Sequence, residues 1–469
     1  MKTLRLFAAA LLLASAAAAT AAARLPPTVA QALAAAGLPA SAVAIVVQDA
    51  ATGAAQLKFN AETAMNPASL MKLLTTAAAL DTLGPAHTWK TEAWLRGELA
   101  AGVLEGDLYL KGGGDPKLTL EQFWLLLREL RARGLREIRG DLVLDRSLFG
   151  VDDEGLIDDK PLRAYNVAPD ALLLNFKAVR LRLMPAAATK SVTVLAEPLP
   201  EPLQIANQLS LVGGACGDWK EALTATYTPA PPRLSLAGGY PLACGEKNLS
   251  LGVMDHAQYV DGLFRPLWRE MGGRIVGVLR SDTLPADARL FATIESPPLA
   301  EQIRDINKFS NNVMARQLFL ALGAAAGKTA TAAAAEAALR DWLTRRGLEL
   351  GGLVIDNGSG LSRRARISAD GLARVLALAW HSALMPEFVA SLPLSAVDGT
   401  MRKRLTHDGV AGQAHIKTGS LDGVKSIAGY VRDRAGRWQI VVCVVNHAAA
   451  AAAGPAQDAL LQWVYERGR

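Results

Sequence analysis

The chain has 469 residues, of which 51% are hydrophobic and 20% charged, with a formal net charge of +6. That length exceeds one ordinary core, so two or three domains are expected. The mild charge, with no basic run interleaved with aromatics, excludes a nucleic-acid reading, and no apolar run beyond the N-terminus reaches the ~18 to 20 residues needed to cross a bilayer, so no transmembrane partner is implied.

In chain order, the first segment reads MKTLRLFAAALLLASAAAATAAARLPP. Lys2 and Arg5 give a basic start, Leu6 to Ala14 an apolar middle, and the alanines small-residue cleavage sites after Ala19 or Ala23. Residues 1–23 are therefore expected to be a signal peptide, the alternative being a retained N-terminal anchor. Without Lys2 and Arg5, 48 basic residues against 44 acidic ones leave a charge of +4. LPPTVAQALAAAGL reads as a short helix, and SAVAIVVQDAATGAAQLKFN as two strands about a Thr-Gly turn. In NPASLMKLLTTAAAL, Asn66 suits an N-cap and Pro67 the first helical position, so a helix should begin there with Ser69 in its first turn. Lys72, at i+3, shares a face with Ser69 on a helix apolar on most sides.

From about 95 to 285 the pattern changes to short β-like runs (DLYLKG, IRGDLVLD, AVRLRLMP, VTVLAE) with Gly and Pro punctuation. EQFWLLLRELRARGL is the long helix expected in this stretch. Cys216 and Cys244 sit in loop-like surroundings 28 positions apart. Export would permit a disulfide between them, contributing roughly 3 to 4 kcal/mol by loop closure. A helical block follows from about 300 to 400. Then AHIKTGSL, KSIAGYVRD and RWQIVVCVV read as three strands and AQDALLQWVYER as a closing helix. Cys443, within the last strand, reads as a buried apolar thiol. The expected architecture is α/β (α+β): a five-stranded antiparallel sheet made by both ends of the chain, flanked by helices. The expected partition is 24–95 with 286–469 as the catalytic domain, 96–181 with 256–285 as an insert, and 182–255 as a smaller nested domain.

The chemistry resides in three ordered motifs: Ser69-Leu70-Met71-Lys72, Ser310-Asn311-Asn312 and Lys417-Thr418-Gly419. A serine hydroxyl needs a base, and a lysine serves if burial or a nearby cation lowers its pKa. For Lys72 the apolar helix and Lys417 would do both. Ser310 can relay a proton and Asn312 can hold a substrate amide and the lysine side chain. Lys417 supplies positive charge, Thr418 and Ser420 offer hydroxyls to a carboxylate, and Gly419 lets the strand approach the serine helix. The N–H groups of Ser69 and Ser420 are the expected oxyanion donors. Asn66 is expected to take the N–H of Ala68, leaving that of Ser69. Read singly, Ser69 and Lys72 also fit a first-turn serine and a snorkelling lysine, and Ser310 a plain N-cap. Asp115 and Asp356 read as turn-formers and His415 as a strand residue. Neither a cofactor nor a metal is implied, since the three cysteines and six histidines show no zinc-ligand spacing.

The trio resembles the serine penicillin-recognising enzymes. The long interval from Ser69 to Ser310, with LYLKGGGDPKLT, IRGDLVLDRSLFG, IESPPLAEQIRDINKFSNN, DNGSGLSRRARIS, AVDGTMRKRL and IKTGSLDGVKSIAGYV, is similar to the D-alanyl-D-alanine carboxypeptidase/endopeptidase family, the class C low-molecular-mass penicillin-binding proteins. The resemblance implies a β-lactamase/transpeptidase-like domain in a periplasmic enzyme, its membrane association left open. The implied substrates are peptidoglycan stem peptides, the implied inhibitors β-lactams. Ser69 would be acylated by the penultimate D-alanine carbonyl. An aspartate of the insert would bind the stem peptide's amino group; Asp145 is the candidate, and Asp141 and Asp152 lie close by as alternatives. Two rivals remain: a peptidoglycan-binding scaffold with a vestigial site, and a β-lactamase or esterase. Against β-lactamase, no Glu-x-x-Leu-Asn segment follows Ser310 and no Tyr replaces it.

Overall fold

The computed structural model describes residues 24–150, 158–327, 330–407 and 409–467. The expected signal peptide, and Asp152, lie outside the described residues. The sheet expected from both sides of the chain is present. Its order is Ala414–Leu421, Val424–Arg432, Trp438–Asn446, Val43–Asp49 and Ala55–Phe59, antiparallel throughout. Val43 to Val47 are apolar on both faces of the sheet, and both faces are covered. Val43, Ile45 and Val47 meet the helices Pro27–Ala35 and Gly454–Glu466, which pack on one another. Ala44 and Val46 meet the helix Met71–Leu83 and the helical block. Cys443 lies opposite Ile45 in this sheet, and burial pushes its thiol up to about 12.

The helical block contains Leu299–Lys308, Asn312–Ala325, Ala332–Arg345 and Ala369–Trp380. Met71–Leu80 is buried on every side, as expected of a helix apolar all round. Each large side chain so enclosed contributes about 1.5 to 3 kcal/mol.

The middle of the chain forms a mixed seven-stranded sheet that includes Lys90–Ala100, Val103–Gly112, Leu142–Asp145 and Arg289–Glu295. Two three-stranded sheets, from Ala178–Ala186 to Lys247–Gly252, share one continuous core with it. Cys216 and Cys244 are joined as a disulfide. Leu120–Ala132 is a helix with a Thr119–Gln122 capping box. It is not the lone long helix of this region: His256–Glu270 is a second, capped by Asp255 at the N–H of Gln258 (2.8 Å). Its apolar face (Tyr259, Val260, Leu263, Phe264, Trp268) has helical spacing, and Pro266 inside it conceals that pattern. The boundary expected at 95/96 falls within the strand Lys90–Ala100, which pairs with Arg289–Glu295. We propose the junction at Trp89 and Ser296, where the two crossings of the chain bond to each other (Ser296 N to Trp89 O, 2.9 Å; Trp89 N to Ser296 Oγ, 3.0 Å).

Candidate active site

Asn66 is fixed before the helix begins. Its N–H donates to Asn446 Oδ1 (2.8 Å), its carbonyl accepts from Asn446 Nδ2 (2.9 Å), and its amide donates to Ser362 O (2.8 Å). Its Oδ1 takes the N–H of Ala68 at 2.9 Å, as expected. The helical start differs from expectation. Ala68 has φ +47°, and a 3₁₀ turn, Ala68–Leu70, precedes the α-helix, which begins at Met71. Gly360 abuts the Ala68 carbonyl so closely that no Cβ would fit there. In such a turn i and i+3 nearly eclipse, which brings Lys72 beneath Ser69.

Lys72 is wholly buried, with Nζ 3.0 Å from Ser69 Oγ, 2.6 Å from Asn312 Oδ1 and 2.6 Å from Ser359 O. Burial, then the nearby Lys417, holds its pKa well below that of a free lysine. A neutral amine has two N–H bonds and one lone pair. Asn312 Oδ1 and the Ser359 carbonyl are acceptors that would take both N–H bonds of a neutral Lys72, and its lone pair would then face the Ser69 hydroxyl.

Ser310 is not the N-cap of the next helix. Asn311 fills that position, accepting from Met314 N at 3.1 Å. Ser310 itself has φ +56°, an uncommon conformation for a side-chain-bearing residue, and its Oγ is 2.8 Å from Lys417 Nζ. Lys417 also donates to the Thr418 carbonyl (2.6 Å); it is wholly buried, and burial lowers its pKa to about 7. Gly419 faces Ser426 across the sheet, and a Cβ on it would lie 2.8 Å from Pro67 O and 3.1 Å from Ser69 N. Gly419 thus lets the strand close on the serine turn. Ser420 follows on the exposed side of the strand. Thr418 Oγ1 meets Thr400 Oγ1 at 2.7 Å.

The three motifs therefore converge. Asp145 is also buried, but its Oδ1 accepts from Ser147 N (3.0 Å) and Oγ (2.6 Å), and its Oδ2 from Leu284 N (3.0 Å). Burial would raise its pKa, but these bonds outweigh that and lower it. It lines a cavity of about 370 Å³ with Arg146, Asp170 and Asp282. Asp141 is engaged by Arg280 at 2.6 Å. Asp115 accepts from Lys117 N (2.8 Å) and Asp356 pairs with Arg364, both within turns. His415 Nδ1 lies 3.2 Å from Val389 O on its strand.

Ser359, Ser426, Asn446 and Thr400 escaped the sequence reading. Ser426 donates to Pro67 O at 2.7 Å, and Ser359 acts through its carbonyl. The one available signal was DNGSGLS, whose glycines allow the loop to lie along the serine helix.

Fold and site together define a serine peptidase of the penicillin-recognising class. The chain belongs to the D-Ala-D-Ala carboxypeptidase 3 (S13) family, matched over residues 25–466. A D-alanyl-D-alanine carboxypeptidase of Actinomadura sp. (strain R39) is 30% identical over 423 residues, 86% of this chain and 77% of that protein. The D-alanyl-D-alanine carboxypeptidase DacB of Haemophilus influenzae is 26% identical over 393 residues, covering 83% and 82%. The crystal structure of penicillin-binding protein 4 (dacB) from Haemophilus influenzae superposes with a TM-score of 0.79 at 24% identity, over 93% of this chain and 99% of that one, and speaks for the shared fold. By family the protein is a serine D,D-peptidase.

Proposed function

We propose that Ser69 is the nucleophile, Lys72 its base, and peptidoglycan stem peptides ending in D-Ala-D-Ala the substrates of an exported, periplasmic enzyme. The Ser69 hydroxyl passes its proton to the lone pair of Lys72 while Oγ attacks the penultimate D-alanine carbonyl. The developing oxyanion lies between the N–H groups of Ser69 and Ser420. The C–N bond then breaks, and the departing amine takes a proton relayed from Lys72 by Ser310. Lys417, Thr418 and Ser420 hold the terminal carboxylate, and Asn312 steadies both Lys72 and the substrate amide. Water, deprotonated by the same base, hydrolyses the ester and frees Ser69. A cross-linked peptide would be cleaved by the same steps, and a β-lactam would acylate Ser69 and leave slowly. Asp145 is proposed on resemblance as the contact for the stem peptide's amino group. The single supporting observation is the convergence of the three motifs, with Lys72 Nζ 3.0 Å from Ser69 Oγ and Lys417 Nζ 2.8 Å from Ser310 Oγ.

The test is covalent labelling with a fluorescent penicillin. Wild type should be labelled and folded Ser69→Ala should not; labelling that survives the substitution overturns the assignment. Turnover of nitrocefin without release of D-alanine would instead mark a β-lactamase. Binding to sacculi with no D-alanine release would mark a scaffold.

A further inference from the structure

We propose that Lys308 is a positioning residue for leaving-group recognition, holding Thr400 where the Thr400–Thr418 hydroxyl pair donates to the terminal carboxylate. The proposal rests on the carboxylate role given to Thr418 above.

Lys308 ends the helix Leu299–Lys308, two residues before Ser310, and is only 8% exposed. Its Nζ donates to Leu392 O (2.9 Å) and to Asp398 Oδ2 (2.6 Å). The other oxygen of Asp398 accepts from Leu394 N at 2.9 Å, so one buried ammonium braces the turn 392–398 at both ends. Gly399 follows with φ +55°, and a Cβ on it would lie 2.5 Å from the Lys308 carbonyl oxygen. The turn is therefore pressed against the helix end by backbone as well as charge. Thr400 comes next, exposed, its Oγ1 2.7 Å from that of Thr418.

Two hydroxyls carry two protons. One is used between Thr418 and Thr400, and the other remains to be donated. A carboxylate is an acceptor only, and Lys417 lies beside the pair through the Thr418 carbonyl (2.6 Å). The direction of the free proton depends on where Thr400 sits, and Lys308 sets that. Burying an ammonium is costly, and a well-packed apolar residue would serve stability as well or better. Keeping the ion pair thus makes sense as a fixed-geometry device. Lys308 touches no reacting atom.

The experiment measures kcat/KM on an acyl-D-Ala-D-Ala peptide and on its C-terminal amide. The enzymes are wild type, Lys308→Met, Asp398→Asn, Thr400→Val and the Lys308→Met/Thr400→Val double variant. Wild type should prefer the free carboxylate by about 10-fold or more. Lys308→Met and Asp398→Asn should each lose about 10-fold on the carboxylate peptide, chiefly through KM, and no more than about 2-fold on the amide. The double variant should lose no more than the worse single one, since both act on one contact. Equal losses on both substrates, an unchanged preference or additive losses overturn the proposal. A wild type without any preference removes the carboxylate role of Thr418, and the proposal with it. A wild-type preference that Lys308→Met retains defeats the proposal alone. Should Lys308→Met not fold, Asp398→Asn is close in shape and decides by the same ratio.

Discussion

Replacing Gly419 with alanine adds one methyl group where the strand Ala414–Leu421 comes closest to the serine turn. Its Cβ would lie 2.2 Å from Ser426 Oγ, 2.8 Å from Pro67 O and 3.1 Å from Ser69 N. The glycine's φ is outside the left-handed region, so space and not backbone freedom is what the position demands. Ser426 is not free to swing aside without giving up its 2.7 Å bond to the Pro67 carbonyl. Restoring ordinary contacts of about 3.5 Å requires strand and turn to part by roughly 0.5 to 1 Å. The two proposed oxyanion donors lie on opposite sides of that gap. A displacement near 1 Å costs about 100-fold in rate, and a lost oxyanion donor about 100- to 1,000-fold. Acylation by fluorescent penicillin, followed as a second-order rate, should therefore fall about 100-fold or more, with a stability loss of about 1 to 3 kcal/mol from overpacking. Gly213→Ala is the control, since a Cβ there meets nothing within 4 Å. A folded Gly419→Ala enzyme acylated within about 3-fold of wild type would refute the assignment of Ser69 and Ser420 as paired donors.

Lys417, lowered by burial to about 7 from 10.5, binds fewer protons folded than unfolded between those values, so stability should rise with pH across that window. Lys417→Met should melt higher at pH 7 with a flatter rise towards pH 9, while its acylation falls about 100-fold; melting curves matching wild type at both pH values would contradict this. Asp115, raised by burial to about 6 from 3.8, has the opposite sign: the folded form keeps its proton longer, and stability is lost as pH rises through that interval. Asp115→Asn keeps an acceptor for the Lys117 N–H and should gain about 1 to 2 kcal/mol above pH 7 but nothing below pH 4 in urea titrations. Removing the disulfide with Cys216→Ser and Cys244→Ser should cost about 3 to 4 kcal/mol in denaturant melts while the folded fraction is acylated at the wild-type rate.

Much of the catalytic unit was legible because its signals are local. Within Val43–Asp49 and Trp438–Asn446, Val43 to Val47 and Ile440 to Val445 are unbroken apolar runs, and such runs suit strands covered on both faces. Ser69, Lys72, Ser310 and Lys417, which the fold brings together, could be singled out because the chemistry proposed for them needs particular residue types at short spacing. Ser359 was not, since it contributes a carbonyl that any residue possesses. Ser426 and Asn446 were missed because their partners, Pro67 and Asn66, are more than 350 positions away. A 3₁₀ turn precedes Met71 in place of the helix start that Asn66-Pro67 signals, and Gly360 lies against its Ala68 carbonyl, a contact distant in the chain. Pro266 likewise hid a helix that packing sustains.

The sheet joins strands from both sides of the long insert: Val43–Asp49 pairs with Ala55–Phe59 on one side and with Trp438–Asn446 on the other. A polypeptide emerging N-terminus first presents Ser69 hundreds of residues before Lys417 and Asn446 can reach it. Until then Asn66 has no Asn446 to grip it, and Lys72 lacks Lys417, which together with burial lowers its pKa. Chains stalled or clipped ahead of these late strands would lack the groups that converge on Ser69, the proposed nucleophile, and should not be acylated by penicillin.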